Sequence, residues 1–264
     1  MRRPRVLAAA QTIPRRGDVE ANLASHLELM RAAADENVGL LVFPELSLTG
    51  YELDLAAELA FSERDPRLAP LIDLASSRLL AVVVGAPVRI APRLCIGAFI
   101  VYPDRRVDLY TKHRLGAFPP DVNPGGTVPP AEATVFHPGD RNPLVEWDGH
   151  TGAVAVCADI GRPAHAKAAA ERGARTYAAS MFVIPSDLDA ETARLRAYAV
   201  EHGMAIVFAN FGGPSGGLPS AGRSAILSQE GETLTQLDAA GSGIAIAVEE
   251  GSRWRAKNVA VDGA

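Results

Sequence analysis

Short apolar runs alternate with amphipathic segments along the chain, and this alternation predicts a layered α/β fold. Val6–Gln11 and Leu40–Phe43 are compact and almost wholly apolar, as expected of strands that are buried on both faces. Between them, Val19–Asp35 carries apolar residues at helical spacing, and Asp18 directly before it is a suitable N-cap. This part of the chain therefore predicts a strand–helix–strand unit.

Helices and strands continue to alternate after this unit, but two hairpins interrupt them. The turn pairs Pro103-Asp104 and Glu230-Gly231 each separate two strand-like runs, which favours antiparallel pairing. We therefore expect mixed sheets within a single domain spanning 1–264, with the polar tail Gly251–Ala264 at its periphery. The remaining predicted elements are the helices Pro70–Ser77, Pro163–Arg172 and Ala190–His202; the strands Leu79–Ala86, Gly152–Cys157, Arg175–Met181, Met204–Ala209 and Ile244–Val248; and the hairpin strands Cys95–Tyr102, Arg106–Thr111, Ser224–Ser228 and Thr233–Leu237.

One long segment, Gly116–Pro143, has neither helical nor strand periodicity. It contains seven prolines and the pair Gly125-Gly126. A loop of this length inside a compact domain is usually functional, so we expect it to shape a binding site.

Composition narrows the classes of protein that fit. The chain has 264 residues, 48% of them hydrophobic, and a net charge of −5, which argues against nucleic acid or an anionic membrane as the main partner. No apolar stretch approaches the roughly 18 residues of a membrane span, and the run after the basic N-terminus is too short for a signal peptide. Two cysteines exclude a disulfide framework and favour the cytoplasm. Since no His/Cys cluster has zinc spacing, we expect no metal and no cofactor.

The candidate chemistry lies at the ends of three predicted strands. Glu45, Lys112 and Cys157 each follow such a strand directly. A carboxylate, an ammonium and a thiol on a rigid scaffold can together accept a proton, hold an oxyanion and supply a nucleophile.

Each of these residues also has a simpler interpretation. A lone cysteine at a strand end is more often core than nucleophile, but the small-residue turn after Cys157 favours an exposed thiol near backbone N–H groups. Cys95, inside a hairpin strand, is expected to pack in the core. Glu45 and Lys112 taken singly could be solvated surface residues. His113 is an alternative base for a Cys–His pair.

Taken together, the motifs resemble the nitrilase (carbon–nitrogen hydrolase) superfamily over nearly the whole chain. The resemblance implies a four-layer αββα sandwich and assembly into a homodimer or larger homo-oligomer. The matching segments are 9–11, Gly17-Asp18, Phe43-Pro44-Glu45, Thr49-Gly50-Tyr51, Tyr110-Thr111-Lys112, Phe136-His137-Pro138-Gly139-Asp140, 152–159, Arg196-Ala197, Ala209-Asn210 and Gly222-Arg223-Ser224.

The resemblance also implies roles for individual residues. Cys157 would be the nucleophile, Glu45 the general base and Lys112 the oxyanion-stabilising partner. Glu132, four residues before Phe136, would be a second catalytic glutamate. The backbone N–H of Ala158 would complete the oxyanion hole, and the substrate pocket would be lined by Met181 and Phe182.

The implied activity is hydrolysis of a non-peptide C–N bond in a small amide through a thioester. A nitrilase or an N-carbamoyl amidohydrolase could use the same residues. A non-catalytic binding or scaffold protein on the same fold is a further alternative. Departures from the family pattern, such as Arg114 after His113 and Gly161-Arg162 after Ile160, leave the substrate open.

Overall fold

The computed structural model describes residues 4–251 and 253–261 and has two β-sheets packed face to face with helices outside each. The first sheet contains β1 (Arg5–Gln11), β2 (Leu40–Val42), β3 (Ala81–Ile90), β4 (Arg93–Val101), β5 (Val107–Thr111), β12 (Gly243–Glu250) and β13 (Arg253–Ala260). The second contains β6 (Leu144–Trp147), β7 (His150–Val156), β8 (Thr176–Ser180), β9 (Ala205–Ala209), β10 (Ala225–Leu227) and β11 (Thr233–Gln236). The helices are α1 (Val19–Asp35), α2 (Ala56–Leu59), α3 (Ala69–Arg78), α4 (Pro163–Glu171) and α5 (Leu188–His202).

Both sheets are mixed, as predicted. The first has the strand order β13-β12-β1-β2-β3-β4-β5, and the second has the order β11-β10-β9-β8-β7-β6. Only the central pairs β1/β2, β2/β3, β7/β8 and β8/β9 of these ladders are parallel. Parallel neighbours open at the same edge of a sheet, so loops after β2, β7 and β8 can meet there.

Successive side chains of the central strands enter different core layers. In β2, Leu40 and Val42 pack into the core between the sheets, whereas Leu41 packs outward against α1 and α3. In β7, Val154 faces the inner core and Ala155 the layer covered by α4 and α5. A strand buried on both faces needs apolar residues at every position, which explains the continuous apolar runs of the sequence. The layers are helix, sheet, sheet and helix, so the predicted αββα sandwich is confirmed.

Several element boundaries differ from the predictions. Leu79 has a left-handed backbone (φ 55°) that ends α3, so the following strand begins at Ala81 rather than Leu79. The four residues of β6 were missed because they form a short run directly beside another strand. The described part of the tail is not loose: β13 pairs with β12 from Arg253 to Ala260. Ser252 and residues 262–264 of that predicted tail lie outside the described residues.

The two sheets are joined near the ends of β2 and β8. The Ser180 hydroxyl donates to the carbonyl of Phe43 at 2.8 Å, and the Glu45 amide donates to the carbonyl of Met181 at 3.3 Å. These bonds fix the segment carrying Glu45 against the segment that follows β8. Within the described ranges, no helix is both long and apolar enough to cross a bilayer.

Candidate active site

A buried lysine lies between two buried carboxylates where the loops after β2 and β5 meet. Lys112 Nζ is 2.6 Å from Glu45 Oε1 and 2.7 Å from Glu132 Oε1. The side chains of Glu45 and Lys112 are fully buried, and that of Glu132 is 1% exposed. Charged groups are buried at this depth only when paired and hydrogen-bonded, so the three residues form one electrostatic unit.

Glu132 is held by partners other than Lys112. The Tyr51 hydroxyl donates to Glu132 Oε1 at 2.7 Å, and the Gly116 amide donates to Oε2 at 2.7 Å. The Glu132 amide in turn donates to the Gly116 carbonyl at 3.0 Å. The first residue of the long proline-rich loop is therefore tied to the short 3₁₀ turn Glu132–Thr134, and this fixes the second carboxylate.

Cys157 begins a short 3₁₀ turn, Cys157–Gly161, directly after β7. Its backbone has φ 44°, a left-handed conformation that is strained for any residue with a side chain. Such a sharp strand-to-helix turn lifts the side chain out of the sheet. Cys157 is partly exposed as a residue, and its sulfur lies 3.6 Å from the carbonyl oxygen of Phe182.

Burial sets the proton affinities of the cluster. Burial raises the pKa of Glu45 to about 7; the charge of Lys112 opposes this shift, and the charge of Glu132 adds to it. Burial and then the charge of Glu45 raise the pKa of the Cys157 thiol, whereas Lys112 lowers it. Burial would lower the pKa of Lys112, but Glu45, Cys157 and Glu132 together raise it above its ordinary value. The lysine therefore stays charged, while the Glu45 carboxyl group and the Cys157 thiol both hold their protons more tightly than usual.

One carboxylate oxygen of this cluster has no fixed hydrogen bond. Glu45 Oε2 is buried and accepts no hydrogen bond within the described ranges, while Oε1 is engaged by Lys112. A buried, unsatisfied oxygen is costly unless it serves a function. Oε2 is thus the oxygen of Glu45 that is available to take a proton.

The thiol opens into a cavity of about 370 Å³. Tyr51, Phe118 and Phe182 form an aromatic cluster on its wall, with ring centroids 4.9 to 5.8 Å apart. Ala158 and Met181 also line the cavity. The four charged side chains among its lining residues outside the buried cluster are Arg114, Asp187, Glu191 and Arg194.

The structure brings together all seven residues singled out in the sequence: Glu45, Lys112, Glu132, Cys157, Ala158, Met181 and Phe182. His113 is not among the residues that line the cavity. Its ring stacks on Tyr110 and its Nε2 lies 3.3 Å from the carbonyl of Arg141. The alternative Cys–His pair therefore has no geometric support.

Sequence reasoning missed three polar residues that organise the site. Tyr51 was noted only as part of a motif, yet it binds Glu132. Asn210 was noted only within a matching segment, but its buried amide binds both backbone groups of Val183 and the carbonyl of Gly222. Asp159 was likewise noted only within the matching segment 152–159. The sequence did contain a signal for Asn210. It is a polar residue directly after a buried strand, and a polar group at such a position needs hydrogen-bond partners.

A four-layer sandwich with a cysteine at a strained turn, beside a buried lysine and two glutamates, defines a protein of the nitrilase type. A sequence model of the family described as carbon-nitrogen hydrolase matches residues 6–255. The chain belongs to the carbon-nitrogen hydrolase family, and the prediction of a hydrolase acting on C–N bonds is confirmed at this level.

Solved structures of an amidase support the same assignment. The chain is 26% identical to an amidase from Nesterenkonia sp. AN1, described as a member of the nitrilase superfamily, with a TM-score of 0.78 over 92% of this chain and 90% of that one. A variant of that amidase in complex with butyramide gives 26% identity and a TM-score of 0.79, covering 93% and 90% of the two chains.

Curated relatives match different shares of the chain. The chain is 35% identical over 88 residues to the glutamine-dependent NAD(+) synthetase of Mycobacterium tuberculosis, and this match covers 33% of the chain and 13% of that protein. The first curated relatives are therefore much longer proteins, of which the match spans about an eighth. The chain is also 29% identical to a hydrolase of Pseudomonas protegens, covering 86% and 77%, and 30% identical to an (R)-stereoselective amidase of Pseudomonas sp., covering 62% and 55%.

Proposed function

We propose that the chain is a cysteine-dependent amidase, which hydrolyses the C–N bond of a small amide through a thioester on Cys157. The observation that carries this proposal is the salt-bridged unit of Lys112, Glu45 and Glu132 beside the thiol. This arrangement supplies a nucleophile, a base and a positive charge around one small volume.

In the first step, Glu45 removes the thiol proton and the Cys157 sulfur attacks the amide carbon. The raised pKa of Glu45, about 7, makes this carboxylate a stronger base than an ordinary one, which partly offsets the raised pKa of the buried thiol. The thiolate that forms faces the Lys112 ammonium, which lowers the pKa of the thiol against the effect of burial. The negative charge thereby moves from one neighbour of Lys112 to another.

The carbonyl oxygen becomes an oxyanion as the sulfur–carbon bond forms. Lys112 Nζ and the backbone N–H of Ala158 are the groups assigned to stabilise it. Collapse of the tetrahedral intermediate breaks the C–N bond, and protonated Glu45 gives its proton to the departing amine or ammonia. Glu45 then takes a proton from water, and the resulting hydroxide attacks the thioester. The acid is released, and the departing Cys157 sulfur takes the proton back from Glu45 to restore the thiol.

Glu132 is assigned to keep the ammonium of Lys112 in place. It binds the lysine, the Tyr51 hydroxyl and the Gly116 amide at the same time. A lysine side chain has several rotatable bonds, so a second carboxylate limits the positions that Nζ can take.

The size and lining of the cavity favour a small amide. A volume of about 370 Å³ with an aromatic wall suits an apolar acyl group of modest size. The butyramide complex and the (R)-stereoselective amidase named above act as supporting comparisons. A nitrilase or an N-carbamoyl amidohydrolase would use the same residues, and the substrate panel described below distinguishes these activities from that of an amidase.

The proposal extends to the location of the protein in the cell and to its oligomeric state. The two cysteines and the lack of any disulfide support a location in the cytoplasm. The family resemblance supports a homodimer or larger homo-oligomer, which light scattering of the purified chain would measure.

The test is ammonia release from a panel of aliphatic amides, ω-amides, N-carbamoyl compounds and nitriles. Wild type, Cys157→Ala and the matched control Cys95→Ala are compared, because Cys95 is buried in the first sheet. We expect turnover of amides that Cys157→Ala abolishes and Cys95→Ala retains. Mass spectrometry of quenched reactions should find an acyl group on Cys157. Turnover that survives in Cys157→Ala would reject the mechanism, and turnover confined to nitriles or carbamoyl compounds would replace the amidase assignment.

A further inference from the structure

Asp159 joins the segment that carries Lys112 to the turn that carries Cys157. It is 1% exposed and lies two residues after the cysteine. Its Oδ1 accepts the backbone N–H groups of His113 at 3.1 Å and Arg114 at 2.7 Å. Its Oδ2 accepts the amide of Val156 at 3.2 Å.

A fourth donor reaches the same carboxylate from the strand before the lysine. The Tyr110 hydroxyl donates to Asp159 Oδ2 at 2.7 Å. Tyr110 lies two residues before Lys112, and His113 and Arg114 are the two residues after Lys112. The buried carboxylate of Asp159 therefore binds residues on both sides of Lys112 in the sequence, and it also binds Val156, the residue just before Cys157.

The contacts behind Tyr110 fix the direction of these hydrogen bonds. Because the Tyr110 hydroxyl gives its proton to Asp159, its oxygen must accept from His165 Nε2, 3.0 Å away. His165 Nδ1 is then the acceptor for the Tyr177 hydroxyl at 2.8 Å. Burial lowers the pKa of His165, which agrees with a neutral ring in this tautomer. These side-chain hydrogen bonds form a continuous series from Tyr177 in β8, through His165 and Tyr110, to Asp159.

The negative charge of Asp159 is compensated by three backbone N–H groups and one hydroxyl. Hydrogen bonds to a charged acceptor are stronger than neutral ones, and they also fix direction. The Asp159 carboxylate therefore fixes the backbone of two segments, the one that carries Lys112 and the one that carries Cys157 and Ala158. These segments supply the two groups expected to stabilise the oxyanion.

We propose that Asp159 is a positioning residue that sets the location of the Lys112 ammonium relative to the Cys157 turn. This inference rests on the proposed function but concerns a residue that does not touch the reacting atoms. Its expected effect is confined to steps in which charge develops on the substrate oxygen. A displacement of about 1 Å in such a site can cost on the order of 100-fold in rate.

Asp159→Asn is the informative variant. It preserves shape and one carbonyl oxygen, which can still accept from His113 and Arg114. Its NH₂ group would then face the Val156 amide and the Tyr110 hydroxyl. An NH₂ group cannot accept from the Val156 amide, so the hydrogen bond that fixes the start of the cysteine turn is lost. Asp65→Asn is the matched control: Asp65 also accepts several N–H groups, from Ser62 and Arg67, and is not among the residues that line the cavity.

Two thiol reagents separate positioning of the oxyanion site from reactivity of the thiol. With iodoacetamide, the sulfur forms a bond to carbon and iodide leaves, so no charge develops on the amide oxygen. With acrylamide, the sulfur bonds to the terminal alkene carbon and the electron pair moves to the carbonyl oxygen; the α-carbon then takes up the proton. Only the second reaction needs a stabilised oxyanion.

The experiment measures amide turnover and both labelling rates at Cys157, in wild type, Asp159→Asn and Asp65→Asn, at equal folded fraction. We expect Asp159→Asn to lower kcat and acrylamide addition by about 10- to 100-fold, with KM and the iodoacetamide rate changed by less than about threefold. Asp65→Asn should lower only thermal stability. An unchanged ratio of the acrylamide rate to the iodoacetamide rate in Asp159→Asn would overturn the proposal.

The labelling rates also keep this inference separate from the proposed function. If wild type hydrolyses no amide, the amidase assignment fails, while the two rates still decide the role of Asp159. If amides are hydrolysed and the ratio of rates is unchanged, the amidase assignment stands and Asp159 is a structural residue only.

Discussion

Lys112 and Glu132 are twenty residues apart in the sequence, and their charged groups are 2.7 Å apart. The intervening segment contains most of the proline-rich loop. Gly116, the first residue of that loop, donates its amide to the Glu132 carboxylate and accepts the Glu132 amide at its own carbonyl. The loop therefore leaves the site and returns to it, and its return supplies the second carboxylate.

Replacing Glu132 tests whether the second carboxylate, which the loop supplies, is needed to hold Lys112. Glu132→Gln keeps an oxygen that can accept from Tyr51 or Gly116 but removes the charge that holds Lys112. We expect kcat to fall by about 100-fold, since a misplaced electrostatic group weakens oxyanion stabilisation, with KM changed much less. Steady-state kinetics on the best amide of the panel would measure this.

The matched control for that variant is Glu63→Gln. Glu63 forms an exposed salt bridge with Arg141 outside the cavity. It should keep wild-type kcat, because exposed ion pairs contribute little. Equal losses in both variants would show that Glu132 has no special role.

The pH dependence of the rate should report Glu45. Burial raises the pKa of Glu45 to about 7, and a general base must be deprotonated to act. The value of kcat/KM should therefore rise with pH and level off above about 7. In a pH series, a profile that is already flat from pH 5 upward would contradict this assignment.

Stability should respond to the same group with the opposite sign. A carboxyl group whose pKa is raised on folding binds its proton more tightly in the folded state, so folding is favoured at low pH and loses free energy as pH rises through about 7. Glu45→Gln removes this penalty. The Tm of the variant relative to wild type should therefore increase between pH 5 and pH 8, as calorimetry can measure.

The backbone of Cys157 should cost stability. At φ 44° a residue with a Cβ is strained by about 1 kcal/mol, which glycine avoids. Cys157→Gly should consequently unfold at a higher temperature than Cys157→Ala, although glycine is normally the less stable choice. The reverse order would show that the turn is relaxed around the thiol.

Tyr51→Phe should separate hydrogen bonding from packing. The variant loses the bond to Glu132 but keeps the ring contacts with Phe118 and Phe182. We expect a loss in kcat of about tenfold, corresponding to roughly 1.4 kcal/mol, which is near the lower end of the range for one hydrogen bond to a charged acceptor. Phe118→Leu, which alters the same wall without a polar group, should instead change KM.

Much of the architecture was predictable because burial on both faces forces continuous apolar runs. Such runs located β1, β2, β7 and β9 to within two residues at each end. The exposed strand β13 and the short strand β6 lack that signal, since one is polar and the other has only four residues. The local sequence therefore indicates the inner strands far better than the edges.

The candidate site divides along similar lines. Glu45, Lys112 and Cys157 were visible because a polar side chain at the end of a buried strand is conspicuous. Asn210 also follows a buried strand directly, but the backbone groups that it and Asp159 bind are distant in the sequence, so their roles were not predicted. The left-handed backbone of Cys157 also has no sequence signal, since cysteine rarely adopts it.

The lysine between two glutamates has one more consequence, which concerns the charge of the site as a whole. In the proposed mechanism the thiol proton passes to Glu45, so one negative charge is lost from the carboxylate and one appears on the sulfur, and both groups interact electrostatically with the same ammonium. The total charge of the cluster is unchanged. Little rearrangement of the surrounding dipoles is then needed, so the resting and activated forms of the site can interconvert inside a rigid protein core.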